Sequence, residues 1–162
     1  MPELEAALAE VPVDVRYKVK SGAMSLAGAL GYNDQKMLKL VETGGRLLKN
    51  GRYDEARKIF RGLVALDPSV PLFHQGLGMC ARLTGDLDAA LEATNTAIAR
   101  AGEVEAGEDI LAGALLERAT LYAARRDTEP AKRDLRRALA LPKGALSKPQ
   151  RLQCKELLRG LG

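Results

Sequence analysis

The sequence predicts an all-α protein assembled from repeated helix pairs, and two features indicate this fold, its composition and the spacing of its small residues. Ala, Leu, Arg and Glu dominate the 162 residues, aromatic residues make up 4%, and Trp is absent. These abundant residues lose little rotamer freedom in a helix, so the composition favours helical structure. Small residues recur at a fixed spacing, as repeated units require. No apolar run approaches the roughly 20 residues that a membrane-spanning helix needs.

The repeat has a period of 34 residues. Three pairs of small residues share this offset: Gly44 and Gly78, Gly51 and Gly85, Ala56 and Ala90. This period is that of the tetratricopeptide repeat, a helix–turn–helix unit. We therefore predict three tetratricopeptide-type helix pairs in a right-handed superhelix, with short N-terminal helices and a C-terminal capping helix.

Each small residue has a predicted mechanical role. Gly44, Gly78 and Ala119 lie where the first helix of a pair approaches the second, and a large side chain would separate the two helices. Their predicted counterparts on the second helices are Ala56, Ala90 and Ala131. Gly51 and Gly85 follow the first helices, where glycine supplies the left-handed conformation that often ends a helix.

The third repeat is displaced along the chain. Ala90 and Ala131 are 41 residues apart, which is one period plus seven. The extra residues fit 101–108, where they either lengthen the loop or add a turn of helix. We predict helices near 110–125 and 128–141, separated by Arg126 where the other repeats have Gly.

Shorter elements flank the repeats. We predict N-terminal helices within 1–36, at 2–9 and 21–31, then repeats at about 37–70, 71–104 and 112–143. Ser147 is a helix N-cap with Pro149 in the first turn, so we predict a helix over 147–162. This helix would cover the apolar face of the last repeat.

The residues that could carry catalysis are too few and too scattered for an active site. The one histidine, His74, occupies a packing position of the repeat and lacks a neighbouring nucleophile. Cys80 and Cys154 show no metal-ligand spacing, and we interpret them as reduced structural thiols. We therefore expect no enzyme activity, no cofactor and no metal. The acidic N-terminus does not resemble a secretory signal, so we expect a cytoplasmic protein.

Positive charge is concentrated near the C-terminus. Residues 117–162 carry 12 Lys or Arg against 5 Asp or Glu, while the remainder has a small negative balance. Three interpretations of the basic pairs 125–126, 132–133 and 136–137 are open: a solvated helix face, a nucleic-acid surface or a site for an acidic protein. We favour a solvated convex face because no aromatic residue is interleaved for base stacking.

The first helices of stacked pairs line the concave side, which is the predicted peptide-binding groove. Alternatively, some of these residues pack against the N-terminal helices. The predicted groove residues are Leu38, Val41, Gly45, Leu48, Leu72, Gln75, Met79, Arg82, Leu83, Leu116, Thr120 and Ala123. A clamp for C-terminal carboxylates would need Lys, Asn or Arg at five groove positions. These are Val41, Gly45, Gly76, Gly113 and Glu117, and none matches.

Three stretches resemble the class II chaperones of bacterial type III secretion, which hold translocator proteins. They are SGAMSLA at 21–27, GRYDEARKIFRGL at 51–63 and LFHQGLGMC at 72–80, where Gly-Leu-Gly is the most specific element. The resemblance implies a cytoplasmic chaperone that binds the extended N-terminal segment of a secreted client in its groove. It also implies a possible homodimer through the N-terminal helices. A needle-tip or filament subunit is an alternative client, and a general scaffold that joins folded proteins is the alternative function.

Overall fold

The computed structural model of the protein describes residues 26–104 and 107–162, and every regular element within these ranges is an α-helix. The chain divides into two compact units, Met1–Ser69 and Val70–Gly162. The helices form three tetratricopeptide-type pairs, which confirms the predicted all-α fold class. The predicted helix at 2–9 and the first residues of the helix predicted at 21–31 lie outside the described residues.

In the first unit, the helices are α1 (Leu26–Ala29), α2 (Asp34–Lys49) and α3 (Tyr53–Leu66). Asn33 caps α2, because its side-chain Oδ1 accepts a hydrogen bond of 2.9 Å from the Lys36 amide. Helices α2 and α3 form the first pair, and α1 contacts α3. The core of this unit consists of buried apolar residues from α1 and α3: Leu26, Ala27, Ala56, Phe60 and Leu63.

In the second unit, α4 (Pro71–Leu83) pairs with α5 (Leu87–Ala101), and α6 (Glu108–Ala124) pairs with α7 (Thr128–Ala140). Helix α8 (Lys148–Gly160) packs on α6 and α7. Helix α6 also contacts α4 and α5, so it is apolar on most of its circumference, as a helix surrounded by neighbours must be. It is therefore the helix around which this unit is built.

The extra residues before the third repeat are divided between loop and helix. Helix α5 ends at Ala101 and α6 begins at Glu108, whereas α3 ends at Leu66 and α4 begins at Pro71. Helix α6 has 17 residues, whereas α4 has 13. The third repeat therefore has both a longer connection before it and a longer first helix, the two alternatives that the spacing left open.

The C-terminal helix begins at the residue that the sequence indicated. The Ser147 hydroxyl accepts a hydrogen bond from the Gln150 amide, and the Gln150 side chain accepts one from the Ser147 amide. This reciprocal arrangement is a capping box, which satisfies two otherwise unpaired amides at the helix start. Cys154 is fully buried beneath α8, in a core cluster with residues of α6 and α7. Helix α8 thus covers the last pair, as predicted.

The expectation that α7 presents its basic residues to solvent is wrong for Lys132. Its side chain is only 14% exposed, and its Nζ donates to the Gly162 carbonyl at 3.2 Å. The physical reason is that the end of the chain returns alongside α7 and covers this position. Asp134, on the same helix, is also buried, although a carboxylate was not expected there.

Candidate peptide-binding site

A cavity of about 270 Å³ lies in the second unit, between the first helices of its two pairs and the C-terminal helix. Helices α4, α6 and α8 each present one face to it. Its lining residues are Gln75, Met79, Arg82, Gly113, Leu116, Glu117, Thr120, Gln150 and Gln153. Apolar, amide and charged groups are thus combined in one concave surface.

Helical spacing explains why these residues share the cavity. On α4, Gln75, Met79 and Arg82 follow one another at intervals of four and three, which places them on one helix face. The residues of α6 have the same spacing from Gly113 to Thr120. On α8, Gln150 and Gln153 are three residues apart, while Cys154 turns into the core.

An ion pair crosses the floor of the cavity. The Arg82 Nε donates to Glu117 Oε1 at 2.5 Å, and this contact joins α4 to α6. The two charges cancel, so the floor has no net charge. The Thr120 hydroxyl donates to the Leu116 carbonyl at 2.9 Å within α6. Leu116 and Met79 supply the apolar part of the surface.

Gly113 is the point of closest approach between α6 and the Gln75 side chain. A Cβ at this position would lie 2.6 Å from Gln75 Nε2, so the end of the Gln75 side chain would have to move away. Glycine therefore leaves room for the amide of Gln75 inside the cavity. Within the described residues, the Gln75 and Gln153 amides have no hydrogen-bond partner, so each offers a donor and an acceptor to a ligand.

Free amides next to apolar side chains suit the main chain of an extended peptide. Each peptide unit carries one donor and one acceptor, which side-chain amides can match, while Met79 and Leu116 contact apolar side chains. The described part of the chain contains no group of three or more His, Cys, Asp or Glu that could hold a metal ion. No described helix is long and apolar enough to span a membrane.

The structure brings together five of the predicted groove residues in this cavity: Gln75, Met79, Arg82, Leu116 and Thr120. Leu72, Leu83 and Ala123 belong to the same helices but lie outside the cavity lining, each half-buried. The other four predicted residues belong to the first unit. They follow one face of α2, where Leu38 is 55% exposed and Val41, Gly45 and Leu48 are half-buried.

The sequence prediction did not include the contribution of α8. Gln150 and Gln153 were not candidates, because the C-terminal helix was considered only as a cover for the last repeat. Their spacing was the available signal, since it places two amides side by side while the apolar residues of α8 face the core. Gly113 and Glu117 were considered only as positions of a carboxylate clamp, which they do not form.

Similarity to known proteins agrees with this architecture. Residues 43–106 match the sequence model of the tetratricopeptide repeat. No curated protein matches the sequence significantly. A T3SS complex from Aeromonas hydrophila has a similar structure, with a TM-score of 0.73 and 19% identity over 93% of this chain and 95% of that chain.

Two further solved structures contain a bound peptide. The type III secretion chaperone SycD of Yersinia enterocolitica, in complex with a peptide of the translocator YopD, gives a TM-score of 0.67 and 18% identity over 80% of this chain and 94% of that chain. The first TPR of Spaghetti (RPAP3), bound to the HSP90 peptide SRMEEVD, gives 0.65 and 25% identity over 80% of this chain and 92% of that chain. Together with the match at 43–106, these similarities show that the chain has the tetratricopeptide-repeat fold.

Proposed function

We propose that the chain is a cytoplasmic chaperone of the type III secretion kind, which holds an extended segment of a secreted client. The observation that carries the proposal is the cavity between α4, α6 and α8, where the Gln75 and Gln153 side chains lie beside Met79 and Leu116. Stacked helix pairs use such concave surfaces to bind polypeptides. The structural similarity to SycD, whose complex contains a translocator peptide, supports this choice of client.

The predicted α2 residues of the first unit extend the proposal. Leu38, Val41, Gly45 and Leu48 present an apolar face that is only partly covered. We assign this face of the first unit to apolar side chains of the client. A homodimer through the N-terminal residues remains part of the proposal. Binding requires no nucleotide, because the client is held by contacts alone.

A general scaffold that joins folded proteins is the second candidate. The identity to the first TPR of Spaghetti is 25%, which is higher than the 18–19% found for the secretion structures. The clamp positions argue against a shared ligand, since Val41, Gly76 and Glu117 offer no cationic or amide group for a terminal carboxylate. The two functions differ in the partner, which is unfolded in one case and folded in the other.

The deciding experiment is co-expression of the tagged chain in its native host, with mass spectrometry of the proteins that remain bound. We expect one secreted protein, attached through its N-terminal segment and protected from aggregation. Recovery of folded complex components alone would support the scaffold and contradict the chaperone proposal.

We predict that Met79→Glu weakens client binding about 10- to 100-fold, because a carboxylate would enter an apolar contact at the centre of the interface. Leu48→Glu should act similarly if α2 contributes. Circular dichroism and the melting temperature should not change, since both side chains are only half-buried. Binding is measured by titration of the purified client segment.

Leu152→Glu is the matched control. Leu152 is 56% exposed on α8 and does not line the cavity, so this substitution adds the same charge to the same unit. Charge reversal of both Arg136 and Arg137 should also leave client binding intact. Equal losses in Met79→Glu and Leu152→Glu would show that binding responds to net charge and not to the cavity.

A further inference from the structure

A second cavity in the second unit lies between α6 and α7, and none of its lining residues belongs to the candidate peptide-binding site. Its volume is about 310 Å³. The lining residues are Arg118, Tyr122, Pro130, Arg133, Asp134 and Arg137. Three arginines against one aspartate leave this small surface with two uncompensated positive charges.

Arg118 is held rigidly at the base of this cavity. Its Nε and Nη2 donate to the two carboxylate oxygens of Asp134 at 2.7 and 2.8 Å, and its Nη1 donates to Asn95 Oδ1 at 2.8 Å. The Tyr122 ring lies 5.9 Å from the guanidinium carbon. The hydrogen bond to Asp134 raises the pKa of Arg118.

Arg133 and Arg137 have no such partner. They are four residues apart on α7, so their side chains project from the same face of the helix towards the cavity. Within the described residues, neither makes a hydrogen bond or an ion pair. Two other arginines of this unit are paired, Arg82 with Glu117 and Arg125 with Asp88. Both side chains are exposed, and their like charges repel weakly across one turn of the helix, so an anion bound between them would relieve this repulsion.

We propose that this cavity binds carboxylates of an acidic segment in a protein partner, separately from the client groove. The two uncompensated charges match two carboxylates, and arginine forks bind carboxylates in a bidentate manner. Tyr122 and Pro130 form walls against which the carbon chain of a Glu side chain can pack. The small number of cationic groups and the single aromatic ring favour a carboxylate segment over nucleic acid, which needs a row of phosphate contacts and several stacking platforms.

The test uses the full chain and a fluorescent octaglutamate peptide, with binding followed by anisotropy near physiological salt. At this ionic strength charges beyond about 8 Å are screened, so only local contacts decide the outcome. We expect Arg137→Glu and Arg133→Glu each to weaken binding about tenfold or more. Arg136→Glu is the matched control. Arg136 is exposed on the same helix but does not line the cavity. Its charge lies within the screening length of the cavity, so we expect a loss of affinity there too, but only about threefold or less because no direct contact is removed.

Three outcomes would overturn the proposal. Equal losses in Arg136→Glu and Arg137→Glu would mean that the peptide senses only the net charge of α7. No measurable binding of the peptide by the wild-type chain would exclude the site. Tighter binding of an oligonucleotide of the same charge, with the same dependence on Arg133 and Arg137, would assign the cavity to nucleic acid. Client binding to the groove should be unchanged in all three variants, so this test is independent of the chaperone proposal.

Discussion

Arg126 shows that the end of the first helix in each repeat is determined by hydrogen bonding rather than by glycine alone. Gly51, Gly85 and Arg126 all have a left-handed backbone, with φ of 74°, 82° and 64°. In each case the next residue donates its amide to a carbonyl five positions earlier: Arg52 to Leu47, Asp86 to Ala81 and Asp127 to Tyr122, each at 2.9 Å. This is the Schellman closure of a helix, and the third repeat adopts it without a glycine.

We predict that Arg126→Gly stabilises the protein by about 0.5–1 kcal/mol. The left-handed backbone of an L-residue costs the folded protein about 1–2 kcal/mol, and glycine removes this cost. The greater conformational freedom of glycine in the unfolded chain lowers the stability by about 0.5–1 kcal/mol, so a net gain remains. The Arg126 side chain is exposed, so little packing is lost. The free energy of unfolding is measured by urea denaturation.

Gly85→Ala is the reverse control. A Cβ at Gly85 would meet no atom within 4 Å, so any loss comes from the backbone. We expect a loss of about 1 kcal/mol. A destabilised Arg126→Gly variant would show that the arginine makes a contribution that offsets its strain.

At the scale of the helix pair, two neighbouring glycines of α2 have different environments. A Cβ at Gly44 would lie 2.7 Å from Phe60 Cε2, whereas a Cβ at Gly45 would meet nothing within 4 Å. Phe60 is buried in the core of the first unit, so its ring has little room to retreat. Gly78 in α4 has the same relation to Thr94, whose Oγ1 lies 2.8 Å from a Cβ built there. Phe60 and Thr94 are 34 residues apart, so the close approach repeats with the sequence period.

We predict opposite effects of alanine at the two positions. Gly44→Ala should destabilise the protein by about 1–2 kcal/mol, because overpacking exceeds the helix propensity gained. Gly45→Ala should stabilise it by about 0.5–1 kcal/mol, because only the propensity changes. Thermal or urea unfolding of both variants checks this result. Similar stability changes in the two would mean that Phe60 moves aside without cost.

At the scale of the whole molecule, the second unit contains both cysteines, and each is fully buried. Cys80 belongs to α4, while Cys154 belongs to α8 and faces the core from it. Among the described helices, α8 packs mainly on α6 and α7, whereas α4 packs on α5 and α6 within the stack of helix pairs. Elements with fewer buried contacts open locally at lower free energy.

We therefore predict that Cys154 reacts with a thiol reagent faster than Cys80 in native buffer. The single-cysteine variants Cys80→Ala and Cys154→Ala report the two thiols separately, and both should react far more slowly than in urea.

Burial raises the pKa of the Cys154 thiol above its ordinary value of 9.0, so the folded state favours the protonated form. This contribution to stability is present below pH 9 and is lost as the pH rises through the higher folded value. Identical rates of thiol labelling at Cys80 and Cys154 would contradict the labelling prediction and would indicate that the second unit opens as one cooperative body.

Much of the fold could be predicted because local rules determine it. Gly51, Gly85 and the Ser147 cap are recognisable within a few residues of each position, and the 34-residue spacing repeats such signals along the chain, so the approximate helix boundaries follow from them. The site was harder to predict. Five of the groove residues meet in one cavity because the first-helix face is periodic, but Gln150 and Gln153 join them through a helix outside the repeats.

The sequence by itself determined the helix pairs and their register, because these depend on periodicity and residue type. It also contains no recognisable catalytic motif. Only the tertiary structure decided where long side chains meet. It paired Arg118 with Asp134, placed Gln75 against Gly113, covered Lys132 with the end of the chain and left Arg133 and Arg137 around a cavity. The physical reason is that an amide or guanidinium reaches groups distant in sequence, so its partner depends on which helices pack together.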